Sequence, residues 1–224
     1  DINHDFSPVF YQSQLKLWMS HFNIKYWIPA LIIIIISGLF FVKAGPIYKG
    51  VYAAGFTGTA IEIVLLLVFQ VVFGYVYAVI GIFVMIFMGG LAFGAYYISK
   101  YQKEISKRTF RRFQIYMSVS VLLIPLVFFI IKNIALHDVI LFIIFAILLF
   151  IISFLTGAIF SFASKIKSGD YGKIASNAYG LDLLGAATGA LIFTIYLIPI
   201  FGFGWSVLIT GLFNLILALT VTKA

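Results

Sequence analysis

Two acidic side chains stand where acids are rare. Glu62 lies in GFTGTAIEIVLLLVFQ and Asp182 in NAYGLDLLGAATGALIF, each the only charged residue of a long apolar run. An ionised carboxylate deep in hydrocarbon is costly, so such a group faces a bundle interior, a wet cavity or a partner, or carries a proton. Gln70 follows Glu62 by eight residues, close to the same face of a helix with 3.6 residues per turn. Gly55, Gly58 and Thr59 precede it by a turn or more. One reading is a polar line that binds an ion, a proton or a substrate amine. The other is a polar packing contact between neighbouring helices. Asp182 is expected near the cytoplasmic end of its span, as a first-turn acid favoured by the helix terminus, as a partner of Lys173, or as a partner of a residue of the bundle.

These acids are positioned by a chain of 224 residues that is 63% hydrophobic and 10% charged, with a mean hydropathy of +1.15. Ordinary soluble domains are about 25% charged. The composition therefore indicates a polytopic membrane protein, all-α, a transmembrane helical bundle of about seven spans. Each crossing needs roughly 20 apolar residues, and backbone groups in lipid must be satisfied within their own helix. The expected spans are residues 26–42, two within 50–99 breaking near Gly74 to Ala78, then 113–131, 139–164, and two within 174–222 breaking near Pro199 to Gly204. Residues 1–25 form an extramembrane lead-in and residues 26–224 the transmembrane domain. Pro125 is expected to kink span four. Tyr26, Trp27, Tyr96, Tyr97 and Trp205 fit interfacial anchors.

Basic residues orient the bundle. The segment KYQKEISKRTFRR carries Lys100, Lys103, Lys107, Arg108, Arg111 and Arg112, and the same side receives Lys43, Lys49, Lys165, Lys167, Lys173 and Lys223. The opposite side keeps Lys16, Lys25 and Lys132. Positive residues favour the cytoplasm, which puts the N-terminus outside and the C-terminus inside. If span one lies in the interface or re-enters, the N-terminus moves to the cytoplasm and the remaining orientations stand. The expected location is a prokaryotic inner or cell membrane, and the net charge of +8 is accounted for by loops, with no nucleic-acid partner.

Small residues recur at packing spacings. Gly90 and Gly94, then Gly185 and Gly189, form small-xxx-small pairs, and Thr156 with Gly157 extends the pattern in span five. Close helix packing is the expected role. The absence of Cys excludes a disulfide, a thiol nucleophile and a cysteine-ligated metal, while His4, His21 and His137 are scattered outside the spans. No phosphate-cradling glycine loop and no HExxH motif occurs. No catalytic, cofactor or metal residue is assigned, and a complete catalytic site is not expected within residues 1–224.

The motifs GFTGTAIEIVLLLVFQVVFGYVYAVIGIFVMIFMGGLAFGAYY, FLTGAIFSFAS and SNAYGLDLLGAATGALIFTIYLIPIFG, in that order, resemble the transmembrane portion of the spermidine synthase-like membrane proteins. The resemblance implies a helical membrane half that accompanies a soluble synthase-type domain. DINHDFSPVFYQSQLKLWMSHF looks like the tail of that domain. Glu62, Gly74, Tyr77, Gly90, Gly94, Thr156, Gly157, Tyr179, Asp182, Gly185 and Gly189 stand at matching positions. The synthase's nucleoside-binding loop and diamine-binding acids are not found in these residues, so any aminopropyl transfer would need a domain outside them. The expected function is a membrane module that anchors or assembles with a soluble domain or partner subunits and binds a small cationic solute. The expected partners are the lipid bilayer, such a domain or subunits, and a second copy of the chain. A self-contained secondary transporter and a non-catalytic structural subunit are the alternatives.

Overall fold

The structure, a computed structural model, describes residues 16–17, 20, 25, 28–74, 79–102, 106–133, 137–166 and 171–220, and every extended element among them is helical. The expectations placed on His4, His21, Tyr26, Trp27, Tyr77, Lys103, Lys167 and Lys223 fall outside the described residues. The helices are α1 (Ile28–Lys43), α2 (Pro46–Phe73), α3 (Ile80–Tyr101), α4 (Lys107–Asn133), α5 (Asp138–Ile166), α6 (Tyr171–Ile192) and α7 (Ile198–Thr220), with a π-helical turn (Phe193–Leu197) joining the last two.

Among the described residues five stretches are long and apolar enough to cross a membrane: Pro46–Phe73, Ile80–Tyr101, Lys107–Ile131, Asp138–Ile166 and Gly172–Thr220. The last runs 49 residues and doubles back. Gly185 packs on Tyr52 and Gly189 on Phe56, so α6 runs parallel to α2. Thr194, Ile198 and Phe203 then share a cavity with Leu67 and Gln70, and Asn214 has returned to Thr57. The reversal lies at Gly202, whose φ of 75° and ψ of 177° leave the helical region for one that is essentially glycine's own. Pro199 prepares it from within the helix. Lacking an N–H and crowding the carbonyl four residues back, it stands two residues past the end of the π turn. The turn thus falls within the PIFGFG segment. At the other expected break, α2 ends on Gly74 in the left-handed conformation, with its N–H donating to the Gln70 carbonyl at 2.9 Å.

Among the described residues the bundle thus has six long apolar arms, and α1 is shorter. Its 16 residues extend only about 24 Å, less than the ~30 Å hydrocarbon layer. α1 presents Leu31, Ile32, Ile34, Ile35 and Ile36 outward. Large apolar residues likewise cover the outside of the other helices, among them Met85, Met88, Leu123, Phe129, Ile147 and Ile216. Such a continuous apolar exterior is disfavoured in water and suits acyl chains. The protein is an integral membrane helical bundle. α4 continues through Pro125 to Asn133.

α2 is the central helix and packs against all of α3 to α7. Its sequence explains why. The first half is built of Gly50, Ala53, Ala54, Gly55, Thr57, Gly58 and Ala60, which let neighbours approach its backbone. The second half carries Val64, Leu65, Val68 and Phe69, all buried against the surrounding helices. There Phe69 meets Phe83 and Phe145 edge to face, with ring centroids 5.1 and 5.7 Å apart.

The remaining registers alternate as a membrane bundle requires. Gly90 faces Ser153, Gly94 faces Ala158, and Lys165 donates to the Ser99 carbonyl at 3.2 Å, so α3 and α5 run parallel. Gln114 reaches Asn214 and Ser118 reaches Gly211, so α4 and α7 run antiparallel. Lys43, Lys49, Lys100, Lys107, Arg108, Arg111, Arg112, Lys165 and Lys173 consequently gather at one end of the bundle, while Lys132 lies at the far end of α4.

Candidate functional site

Asp182 sits in the middle of α6, eleven residues after Tyr171, and no acid occupies that helix's first turn. The first-turn expectation is thereby corrected: the acid is held about 16 Å along the helix axis by the packing of α6 on α2. Lys173, nine residues earlier, lies about 13 Å away along the same axis. Gly55 makes the placement sterically feasible. A β-carbon there would stand 2.7 Å from Asp182 Oδ1, and would strike the Asp182 carbonyl oxygen as well. Asp182 Oδ1 is buried and accepts no hydrogen bond from any described residue.

A cavity of about 260 Å³ adjoins this residue, lined by Ala92 and Ala95 of α3, Thr156 and Gly157 of α5, and Tyr179 and Asp182 of α6. α5 forms its floor, because Gly157 lets the α3 backbone at Leu91 approach and Thr156 is itself 3% exposed. Ala92 and Tyr179 are exposed at its margin. The cleft thus lies between α3 and α6, within the apolar belt and toward the basic end. It offers one carboxylate, a tyrosine and a threonine. The Thr156 hydroxyl already donates to the Ile152 carbonyl at 3.0 Å, leaving its lone pairs to accept.

The other two polar residues singled out in the sequence are elsewhere. Glu62 follows Gly55 by seven residues, nearly the same face of α2 but about 10 Å deeper, and it is half-buried. Gln70 is a further eight residues on, lining a separate cavity of about 290 Å³ with Thr194, Ile198 and Phe203. Glu62, Gln70 and Asp182 are strung along α2 rather than assembled in one site. Among the described residues no group of three or more His, Asp or Glu side chains could hold a metal ion.

The glycines at the small-xxx-small positions lie against neighbouring helices. β-Carbons would lie 2.9 Å from Phe154 C at Gly94, 2.8 Å from Leu91 C at Gly157, and 3.0 Å from Phe56 Cα at Gly189. Gly90 sits against the Ser153 hydroxyl. Gly58, on the same α2 face as Gly55, packs on Thr156.

Two buried polar arrangements escaped the reading of the sequence. Asn214, fully buried in α7, receives a hydrogen bond from Gln114 Nε2 on its Oδ1 at 2.8 Å and donates to Thr57 Oγ1. Gln114 Nε2 also reaches the Gly50 carbonyl at 3.3 Å. α2, α4 and α7 are thus clamped at one level. Separately, the Tyr52 hydroxyl lies 2.5 Å from Ser37 Oγ and 2.7 Å from Thr188 Oγ1, tying α1 and α6 to α2. The available signal was uncharged polar residues within apolar runs, but their partners are tens to more than a hundred residues away.

Compared with known proteins, the chain matches no family model, no curated protein and no solved structure.

Proposed function

We propose that this chain is a membrane-embedded module that binds a small cationic solute in the cleft between α3 and α6, with Asp182 as the counter-charge. The observation that carries this reading is a buried Asp182 oxygen, accepting no hydrogen bond from a described residue, on a residue that lines an intramembrane cavity. A carboxylate so placed gains most from a cation that also donates hydrogen bonds, as a primary or secondary ammonium does. Thr156 and Tyr179 supply further oxygens around it. The three ordered motifs that resemble the spermidine synthase-like membrane proteins make a polyamine the first probe to use. In this reading the basic end faces the cytoplasm of a prokaryotic cell and receives the soluble domain or subunits with which the module assembles.

The test is equilibrium binding of labelled spermidine to the whole chain in nanodiscs, with the Asp182→Asn and Glu62→Gln variants alongside. Saturable binding is expected for the unmodified chain and for Glu62→Gln, with at least a tenfold loss in Asp182→Asn. Binding that is absent from the unmodified chain, or unchanged in Asp182→Asn, overturns the proposal. If Asp182 serves packing alone, its replacement shifts stability and leaves binding untouched.

A further inference from the structure

The bundle holds a larger cavity, about 500 Å³, at its basic end, where the corner between α1 and α2 meets α6. Its lining divides by chemistry. Lys43, Gly45, Ser176 and Asn177 supply a polar wall, and Phe40, Leu181 and Leu184 supply an apolar one. The side chains of Lys43, Ser176 and Asn177 form no hydrogen bond or ion pair with another described residue. Lys49 and Lys173 belong to the same end, and among the described residues no Asp or Glu lines the cavity. α2 also begins here. Gly45 is its N-cap without a side-chain cap, and Pro46 brings no N–H, so the amides of Ile47 and Tyr48 head the helix.

The polar wall is made of the end of α1 and the starts of α2 and α6, which is the level where acyl chains give way to headgroups. The apolar wall continues along α6 toward the bundle centre, as a chain attached to such a headgroup would. We infer that this cavity is a binding site for an anionic phospholipid, with Lys43, Ser176 and Asn177 around the phosphate and Phe40, Leu181 and Leu184 against the first acyl carbons. The phosphate gains from charge complementarity with Lys43 and from the dipole of a 28-residue helix. This site does not depend on the Asp182 cleft.

The test is native mass spectrometry of the whole chain in detergent, titrated with phosphatidylglycerol or phosphatidylcholine. Three variants accompany it: Lys43→Gln, Gly180→Leu and Lys165→Gln. Gly180 lines the cavity, and a β-carbon there would meet nothing within 4 Å. Leucine at that position therefore fills the space without altering charge. Lys165 shares the basic end but not the cavity. The expected result is one tightly held phosphatidylglycerol, preferred over phosphatidylcholine. Its affinity should fall roughly fivefold in Lys43→Gln, the weight of one lysine near an anionic lipid. It should fall further in Gly180→Leu and stay unchanged in Lys165→Gln. Equal retention of both lipids overturns the inference, as does an equal effect of Lys43→Gln and Lys165→Gln. Full displacement of the lipid by inorganic phosphate would also overturn it, because the site would then take the free anion.

Discussion

Two glycines on one helix should respond oppositely to the same added methyl group. Gly180 and Gly185 both lie in α6, and alanine is favoured over glycine in a helix by about 1 kcal/mol. At Gly180 the new β-carbon meets nothing within 4 Å, so Gly180→Ala should stabilise the protein by up to that amount. At Gly185 the same atom would lie 3.0 Å from Phe56 N and strike the Tyr52 carbonyl oxygen. Both neighbours are backbone atoms of α2, which cannot rotate aside, so α2 and α6 must separate. Overpacking of this kind costs about 1–3 kcal/mol. Separation would also stretch the 2.7 Å bond between Tyr52 and Thr188 that spans the same interface. Gly185→Ala should therefore be ~1–3 kcal/mol less stable than Gly180→Ala. The measurement is unfolding in mixed micelles with rising dodecyl sulfate fraction, followed by circular dichroism. Equal midpoints for the two variants would refute the close α2 to α6 approach.

Further outcomes follow from other parts of the bundle. Asn214→Ala removes the partner of both Gln114 and Thr57 and should cost about 1–2 kcal/mol in the same assay, whereas Thr194→Ala, at an exposed hydroxyl, should cost little. Gly202→Ala forces a side chain onto a backbone at φ 75°; a loss of about 1–3 kcal/mol is expected, and a neutral result would place the α6 to α7 reversal elsewhere. Because the chain has no cysteine, single cysteines at Lys107 and Asn133 can be probed in intact cells. A membrane-impermeant maleimide should label Asn133→Cys from outside and Lys107→Cys only after permeabilisation, and the reverse pattern would invert the orientation.

Much of the architecture was legible because lipid imposes a simple rule on sequence. Uninterrupted apolar length located α2 to α7, and glycine with proline located the turns at Gly74 and Gly202. The small-residue pairs announced close packing, though not with which partner. What the sequence does not carry is register across the bundle. That Asp182 faces Gly55, and lies two turns of α2 from Glu62, depends on α6 running parallel to α2 after three intervening helices. The Gln114 to Asn214 bond joins residues 100 apart, and no local periodicity encodes such a pairing. The cavity at the α1 to α2 corner is likewise formed by segments that read individually as helix ends.

The central claim is that Asp182, rather than Glu62, is the carboxylate that meets a cation within the membrane. Its most direct test is labelling of the whole chain with a hydrophobic carbodiimide, with peptide mass spectrometry reading modification at each acid, in the presence and absence of spermidine. The account predicts that Asp182 is modified and that spermidine protects it, with Glu62 unaffected by the solute. Modification at Asp182 that spermidine does not reduce, or protection confined to Glu62, would contradict it.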